Sequence, residues 1–165
     1  MVELLVVLTV VLVLAAVAVP VSQRLRKEGE RSGCLGNLRT IGTALEGYLA
    51  DHNDLYPELE LGRSSRDEEV PVLETVLAVY VDDPRVFHCP ADREWFARTG
   101  SSYHWNSTQS GRHRMQTSFL GMTGRPERVP LVLDKEAFHG GGNGVNMLYA
   151  DYHISNQVEF RVGAR

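Results

Sequence analysis

The sequence predicts an α+β fold: a long N-terminal helix, membrane-spanning in its first half, packed on a small antiparallel sheet head. Three observations predict it. Residues 4–21 are apolar apart from Thr9 and Pro20. Apolar residues then recur at Cys34/Leu35, Leu38, Ile41, Leu45 and Tyr48/Leu49, in steps of three and four that mark one helical face. Later segments, 129–134 and 145–151, read as short buried strands bounded by turn residues.

The apolar run comes first. Eighteen residues at about 1.5 Å each span roughly 27 Å, enough for a bilayer core. A cleaved signal peptide is the rival reading, because Ala16-Val-Ala18 offers a cleavage site. Against it, nothing basic precedes the run, and the run exceeds the usual 7–15-residue apolar core. Glu3 is a carboxylate at the edge of an apolar segment. Such a group is costly unless it is paired or reaches water, so it either carries function or lies at the headgroups. Pro20 removes one helix hydrogen bond and should kink the helix.

Residues 22–33 are mostly polar and should project into solvent. Gly29, Gly33, Gly36, Gly42 and Gly47 each weaken a helix by about 1 kcal/mol relative to Ala, or else permit close packing. The run Asp51-His-Asn-Asp54 should end the helix. Residues 57–69 read as a loop, and 70–81 as a short second helix ended by Asp82-Asp-Pro84. Residues 91–128 are rich in Ser, Thr, Arg and Gly, with a short strand expected around 102–105. Residues 154–161 should form a terminal strand. The resulting division is 1–21 as transmembrane and assembly helix, 22–51 as its continuation, and 52–165 as the head.

Charge narrows the function. The net charge is −4, and the acid is concentrated in residues 51–94. A nucleic-acid surface needs clustered Lys and Arg, so nucleic acid is not an expected partner. No GxSxG, HExxH or phosphate-loop pattern occurs, and the six histidines are scattered. An enzyme is therefore not expected. Arg24, Arg26, Lys27 and Arg31 follow the apolar run, and the positive-inside rule alone would put the head in the cytoplasm. That argument loses force if a basic leader precedes Met1.

Glu3-Leu-Leu-Val-Val, the apolar run and Ala16-Val-Ala-Val-Pro20 together resemble the N-terminus of type IV pilins and type II secretion pseudopilins. In that family a helix-bending proline lies seventeen residues after a glutamate, as Pro20 does after Glu3. The resemblance continues in Cys34-Leu-Gly-Asn-Leu-Arg-Thr-Ile-Gly-Thr-Ala-Leu-Glu-Gly-Tyr48, in Asp51-His-Asn-Asp54-Leu-Tyr-Pro57 and in Phe87-His-Cys-Pro-Ala-Asp92. The tail from His139 through Asp151-Tyr-His153 is similar to the group's histidine-then-Asp-Gly processing-associated motif. Here eleven residues rather than nine intervene, and Tyr152 replaces the glycine.

The resemblance implies a structural subunit held in the bacterial inner membrane by one pass, with its C-terminal head in the periplasm. It implies partners: membrane lipid, other pilin-like subunits in a homo- or hetero-filament, and a prepilin peptidase acting on a leader upstream of Met1. It assigns Glu3 and Pro20 to assembly, Glu3 neutralising a neighbour's N-terminal amine. A non-polymerising, membrane-tethered binding module is the alternative.

Three further groups are weighed for chemistry. Cys34 and Cys89 would usually pair outside the cytoplasm. A bridge closing that 55-residue loop contributes about 4 kcal/mol in the chain-entropy model. Two buried thiols, and then a metal or catalytic role, are the other readings. Asp51, Asn53 and Asp54 offer oxygens of the kind calcium takes, or else cap a helix end. His139, Asp151 and His153 offer a His/Asp metal set, with Asp151 and His153 expected on one strand face. No other cofactor is suggested.

Overall fold

The structure is a computed structural model and describes residues 2–139 and 144–156. It has the expected α+β organisation, a long N-terminal helix followed by a small antiparallel sheet. Helix α1 runs from Val2 to Asp51, 50 residues and about 75 Å. It passes through Pro20 without interruption.

The two halves of α1 differ as their composition dictates. Residues 2–29 are exposed all round, with apolar side chains on every face of residues 4–21 and mostly polar ones over 22–29. Their two hydroxyls are satisfied within the helix: Thr9 Oγ1 donates to the carbonyls of Leu5 and Val6 at 2.9 and 2.8 Å, and Ser22 Oγ to the Val19 carbonyl at 2.8 Å. Beyond Gly33, Cys34, Leu38, Ile41, Leu45 and Leu49 form a single buried stripe. The helix stops at Asp51. Asn53 and Asp54 then turn the chain through left-handed backbone, φ 54° and 58°, and the Asp54 N–H returns to the Leu49 carbonyl at 2.9 Å.

Glycines on the buried stripe allow close approach. A methyl at Gly42 would stand 3.1 Å from Tyr152 Cδ1 and 3.5 Å from both Leu148 methyls. One at Gly47 would stand 3.0 Å from Tyr80 Cδ1. The sheet and the 70–81 segment thus lie almost against the helix backbone.

Residues 70–81 form only one α-turn, α2 (Leu73–Val76), which tightens into a 3-10 turn over Leu77–Tyr80. Helix α3 (Trp95–Thr99) lies in the Ser-, Thr-, Arg- and Gly-rich region, for which no helix is expected from the sequence. The sheet orders β1 (Tyr103–Trp105), β4 (Pro130–Asp134), β5 (Met147–Tyr149) and β6 (Ile154–Ser155) as β1-β4-β5-β6, all antiparallel. A separate hairpin pairs β2 (Ser118–Phe119) with β3 (Met122–Thr123). Its two-residue turn, Leu120–Gly121, has positive φ at both positions, matching the right-handed strand twist.

Trp105, Tyr103, Leu131 and Leu148 of the sheet share one core with the α1 stripe and with Phe87. Of the expected terminal strand, Ile154–Ser155 pairs with β5, and residues 157–165 lie outside the described residues. Asp151 does not lie on a strand with His153. It sits in the tight turn between β5 and β6, where Tyr152 takes φ 66°.

Candidate functional site

Cys34, Cys89 and His139 meet beneath the head. Each belongs to a different segment: α1, the loop after the 3-10 turn Pro84–Phe87, and the chain leaving β4. The helix stripe buries Cys34. The sharp Phe87-His-Cys-Pro90 corner buries Cys89. Their two sulfurs and a His139 nitrogen all lie within 4.8 Å of one another, and both thiols are free.

The surrounding contacts fix this arrangement. His139 Nε2 lies 3.2 Å from Cys89 Sγ. The Cys34 thiol donates to Asp134 Oδ1 at 3.3 Å, and Tyr103 Oη lies 3.2 Å from the same sulfur. Asp134 is itself held at Oδ2 by the backbone N–H and side-chain amide of Asn146, both at 2.9 Å. The Ser102 hydroxyl accepts from the Cys89 N–H at 2.9 Å and donates to Asp92 Oδ2 at 2.6 Å.

The electrostatics are asymmetric. The contact with Cys89, burial and the nearby Asp134 carboxylate push the Cys34 thiol well up, so it keeps its proton. The contact with Cys34 pulls the Cys89 thiol down; burial opposes this and the contact with His139 reinforces it. Burial works to lower His139, yet its contact with Cys89 and the charges of Cys89 and Asp134 outweigh that and raise it. Burial lifts Asp134 to about 6. A soft nucleophilic sulfur therefore faces a basic nitrogen in a mostly dry pocket. Such a donor set can bind a thiophilic cation or undergo thiol oxidation.

The other candidates go elsewhere. Asp51 Oδ2 accepts from the Tyr80 hydroxyl at 3.0 Å, and Asp54 Oδ1 pairs with Arg114 Nη1 at 3.3 Å. With Asn53, they form the helix-terminating turn and its tethers, not a convergent oxygen cage. Asp151 Oδ1 contacts His153 Nδ1 at 2.5 Å, while His139 turns to the cysteines. Among the described residues the Cys34–Cys89–His139 group is the one with three such ligand atoms clustered. Glu3 stands exposed in the first turn of α1, and Pro20 lies within the exposed half.

Two features escaped sequence reasoning. One is the approach of His139 to the thiols. The other is Asp92, buried, accepting from the N–H groups of Glu94, Trp95 and Phe96 at 2.8 Å each. An Asp followed closely by a Trp-Phe pair is an N-terminal helix signal that marks this site.

The molecule is thus a small α+β head carried on one helix long and apolar enough to cross a membrane, with mean hydropathy 3.1 over its apolar window. No protein-family model, curated protein or solved structure matches the chain.

Proposed function

We propose that this chain is a pilin-like structural subunit. Its apolar half-helix anchors it in an inner membrane and, on assembly, packs with its counterparts in the core of a pseudopilus or type IV pilus-like filament. The head forms the outer shell on the periplasmic side. The observation that carries this reading is the apolar run of α1, residues 4–21, whose side chains are all exposed and none of which enters the core of the head. A folded head that needed this segment for its own core would bury it. An apolar rod with small residues (Ala15, Ala16, Ala18) suits helix–helix packing in lipid.

Glu3 is the charge within this rod. In a low-dielectric bundle it gains by meeting a neighbour's N-terminal amine. The expected outcome is that Glu3→Ala inserts into membranes at the normal level but loses incorporation into sheared filaments. Crosslinking between cysteines placed at neighbouring α1 positions reads the same event. Unchanged filament incorporation by the variant, or no α1–α1 crosslink in the parent, would favour a tethered module that does not polymerise.

A further inference from the structure

We propose that Cys34, Cys89 and His139 bind a thiophilic divalent cation of the zinc class through two thiolate sulfurs and the His139 Nε2. The inference is independent of filament assembly. Geometry is the first ground. Tetrahedral zinc, with sulfur at about 2.3 Å and nitrogen at about 2.0–2.1 Å, separates its ligand atoms by roughly 3.3–3.8 Å. The three ligand atoms already lie within 4.8 Å of one another, with Cys89 Sγ and His139 Nε2 at 3.2 Å. Closure on a cation needs side-chain adjustment of ångström size and no rearrangement of the fold.

The surroundings are the second ground. Asp134 places Oδ1 3.3 Å from Cys34 Sγ and is buried. It lies outside the three-atom cluster, held in place by the two Asn146 donors on Oδ2, so the fourth position falls to a solvent oxygen. Tyr103 Oη, 3.2 Å from Cys34 Sγ, can donate to the thiolate. A Cys34–Cys89 disulfide uses these groups less well. It removes the thiol proton that Asp134 Oδ1 now accepts and leaves His139 beside a neutral sulfur.

Access is the third. His139 is half-exposed and borders a surface cavity of about 260 Å³, whose rim includes Lys27, Glu28 and Arg31 of α1. Two thiolates neutralise a divalent cation, and the buried Asp134 carboxylate beside them is balanced by the Arg31 guanidinium on the cavity rim. Binding is acid–base chemistry without redox change. Each thiol releases its proton to solvent, and each sulfur and the imidazole nitrogen donates a lone pair to the cation.

The test uses the full-length chain in detergent, reduced and anaerobic, titrated with Co²⁺ and then Zn²⁺. The expected result is one equivalent of Co²⁺ giving thiolate-to-metal charge-transfer absorption, bleached when Zn²⁺ displaces it. Cys34→Ser should abolish that absorption. His139→Ala, at a half-exposed position where the head should still fold, should weaken binding by at least about tenfold, since loss of an outer partner alone costs that much. The protein purified from its native membrane should carry the metal and two titratable thiols. Absence of charge-transfer absorption in the reduced parent overturns the assignment, as does wild-type affinity in a folded His139→Ala variant. A native chain two mass units lighter, without metal or free thiols, overturns it in favour of the disulfide.

Discussion

His139 Nε2 and Cys89 Sγ lie 3.2 Å apart across 50 positions of sequence. That contact joins the end of β4 to the loop that follows the 3-10 turn, and both rest on α1 through Cys34. The head is therefore clasped to its helix at the N-terminal end of the buried stripe. At the other end, Arg114 pairs with Glu46 at 3.0 Å and with Asp54 at 3.3 Å, tying the 114 loop to the helix terminus. The hydrophobic core lies between these two polar ties.

Arg63 and Glu74 should give opposite results when each is removed. Their side chains are 13% and 8% exposed and meet at 3.0 Å, and Arg63 Nε also donates to the Thr99 carbonyl at 2.7 Å. Arg63→Ala leaves a buried carboxylate without its partner and should cost about 3 kcal/mol in thermal or denaturant unfolding. Glu74→Gln keeps an oxygen for Arg63 and should be close to neutral at pH 7. Burial raises the Glu74 pKa in the fold, against the pull of Arg63. At a pH between the unfolded and folded pKa values, the folded chain thus holds a proton that the unfolded chain has released. Glu74 therefore favours folding most below the usual carboxylate range, and that contribution is lost as pH rises through its raised pKa. In Glu74→Gln this part of the pH dependence should vanish; an unchanged profile would reject it.

Two glycines of α1 should respond with opposite sign to the same substitution. Gly36→Ala meets nothing within 4 Å and should stabilise the head by about 1 kcal/mol through helix propensity. Gly42→Ala places its methyl against the Tyr152 ring and Leu148. Overpacking of about 1–3 kcal/mol then outweighs the propensity gain. Unfolding midpoints of the two variants in one detergent decide the matter, and equal shifts would show that the sheet yields freely at Gly42.

Local chemistry explains which parts of this fold were legible in the sequence. The α1 stripe was readable because Leu38, Ile41, Leu45 and Leu49 keep helical spacing, and the helix end because Asp51-His-Asn-Asp54 is turn-forming. Strand β4 was readable as a continuous apolar run. Residues 70–81 kept the apolar spacing of a helix but formed barely two turns. Asp82-Asp-Pro84 stops the segment, and Val72 supplies no side-chain cap. Asp151 and His153 looked like strand neighbours. The chain reverses there through Tyr152, whose left-handed backbone is the conformation that a glycine would adopt more easily. The meeting of His139 with two cysteines had no local signature. It arises from tertiary packing of three distant segments, which neither spacing nor periodicity encodes.

Asp92 is a capping residue whose loss should be felt well beyond α3. Its carboxylate takes three backbone N–H groups and the Ser102 hydroxyl, and Ser102 in turn orients the Cys89 N–H. Asp92→Ala should cost about 2 kcal/mol, since three part-buried backbone donors and the buried Ser102 hydroxyl lose their acceptor at once. Asp92→Asn keeps one acceptor oxygen and should cost less. Hydrogen exchange of the Glu94–Phe96 amides separates these effects: strong deprotection in the alanine variant is expected, and protection equal to the parent would contradict the capping role.

The head should fold without the first half of α1. Residues 2–29 are exposed throughout, whereas from Glu30 onward the helix engages the head. Glu30 accepts from Arg93 Nη2 at 2.6 Å, and Gly33 lets Pro90 approach so closely that an added methyl would stand 3.0 Å from its ring. A chain beginning at Gly29 retains every buried residue of α1, and the cost of its shortened helix is confined to a frayed first turn. Such a fragment should be soluble without detergent, should no longer partition into vesicles, and should unfold at nearly the same temperature as the full chain in mild detergent. A large fall in that temperature would mean that the apolar segment stabilises the head directly, and the division of α1 into a free rod and a packed stripe would then have to be abandoned.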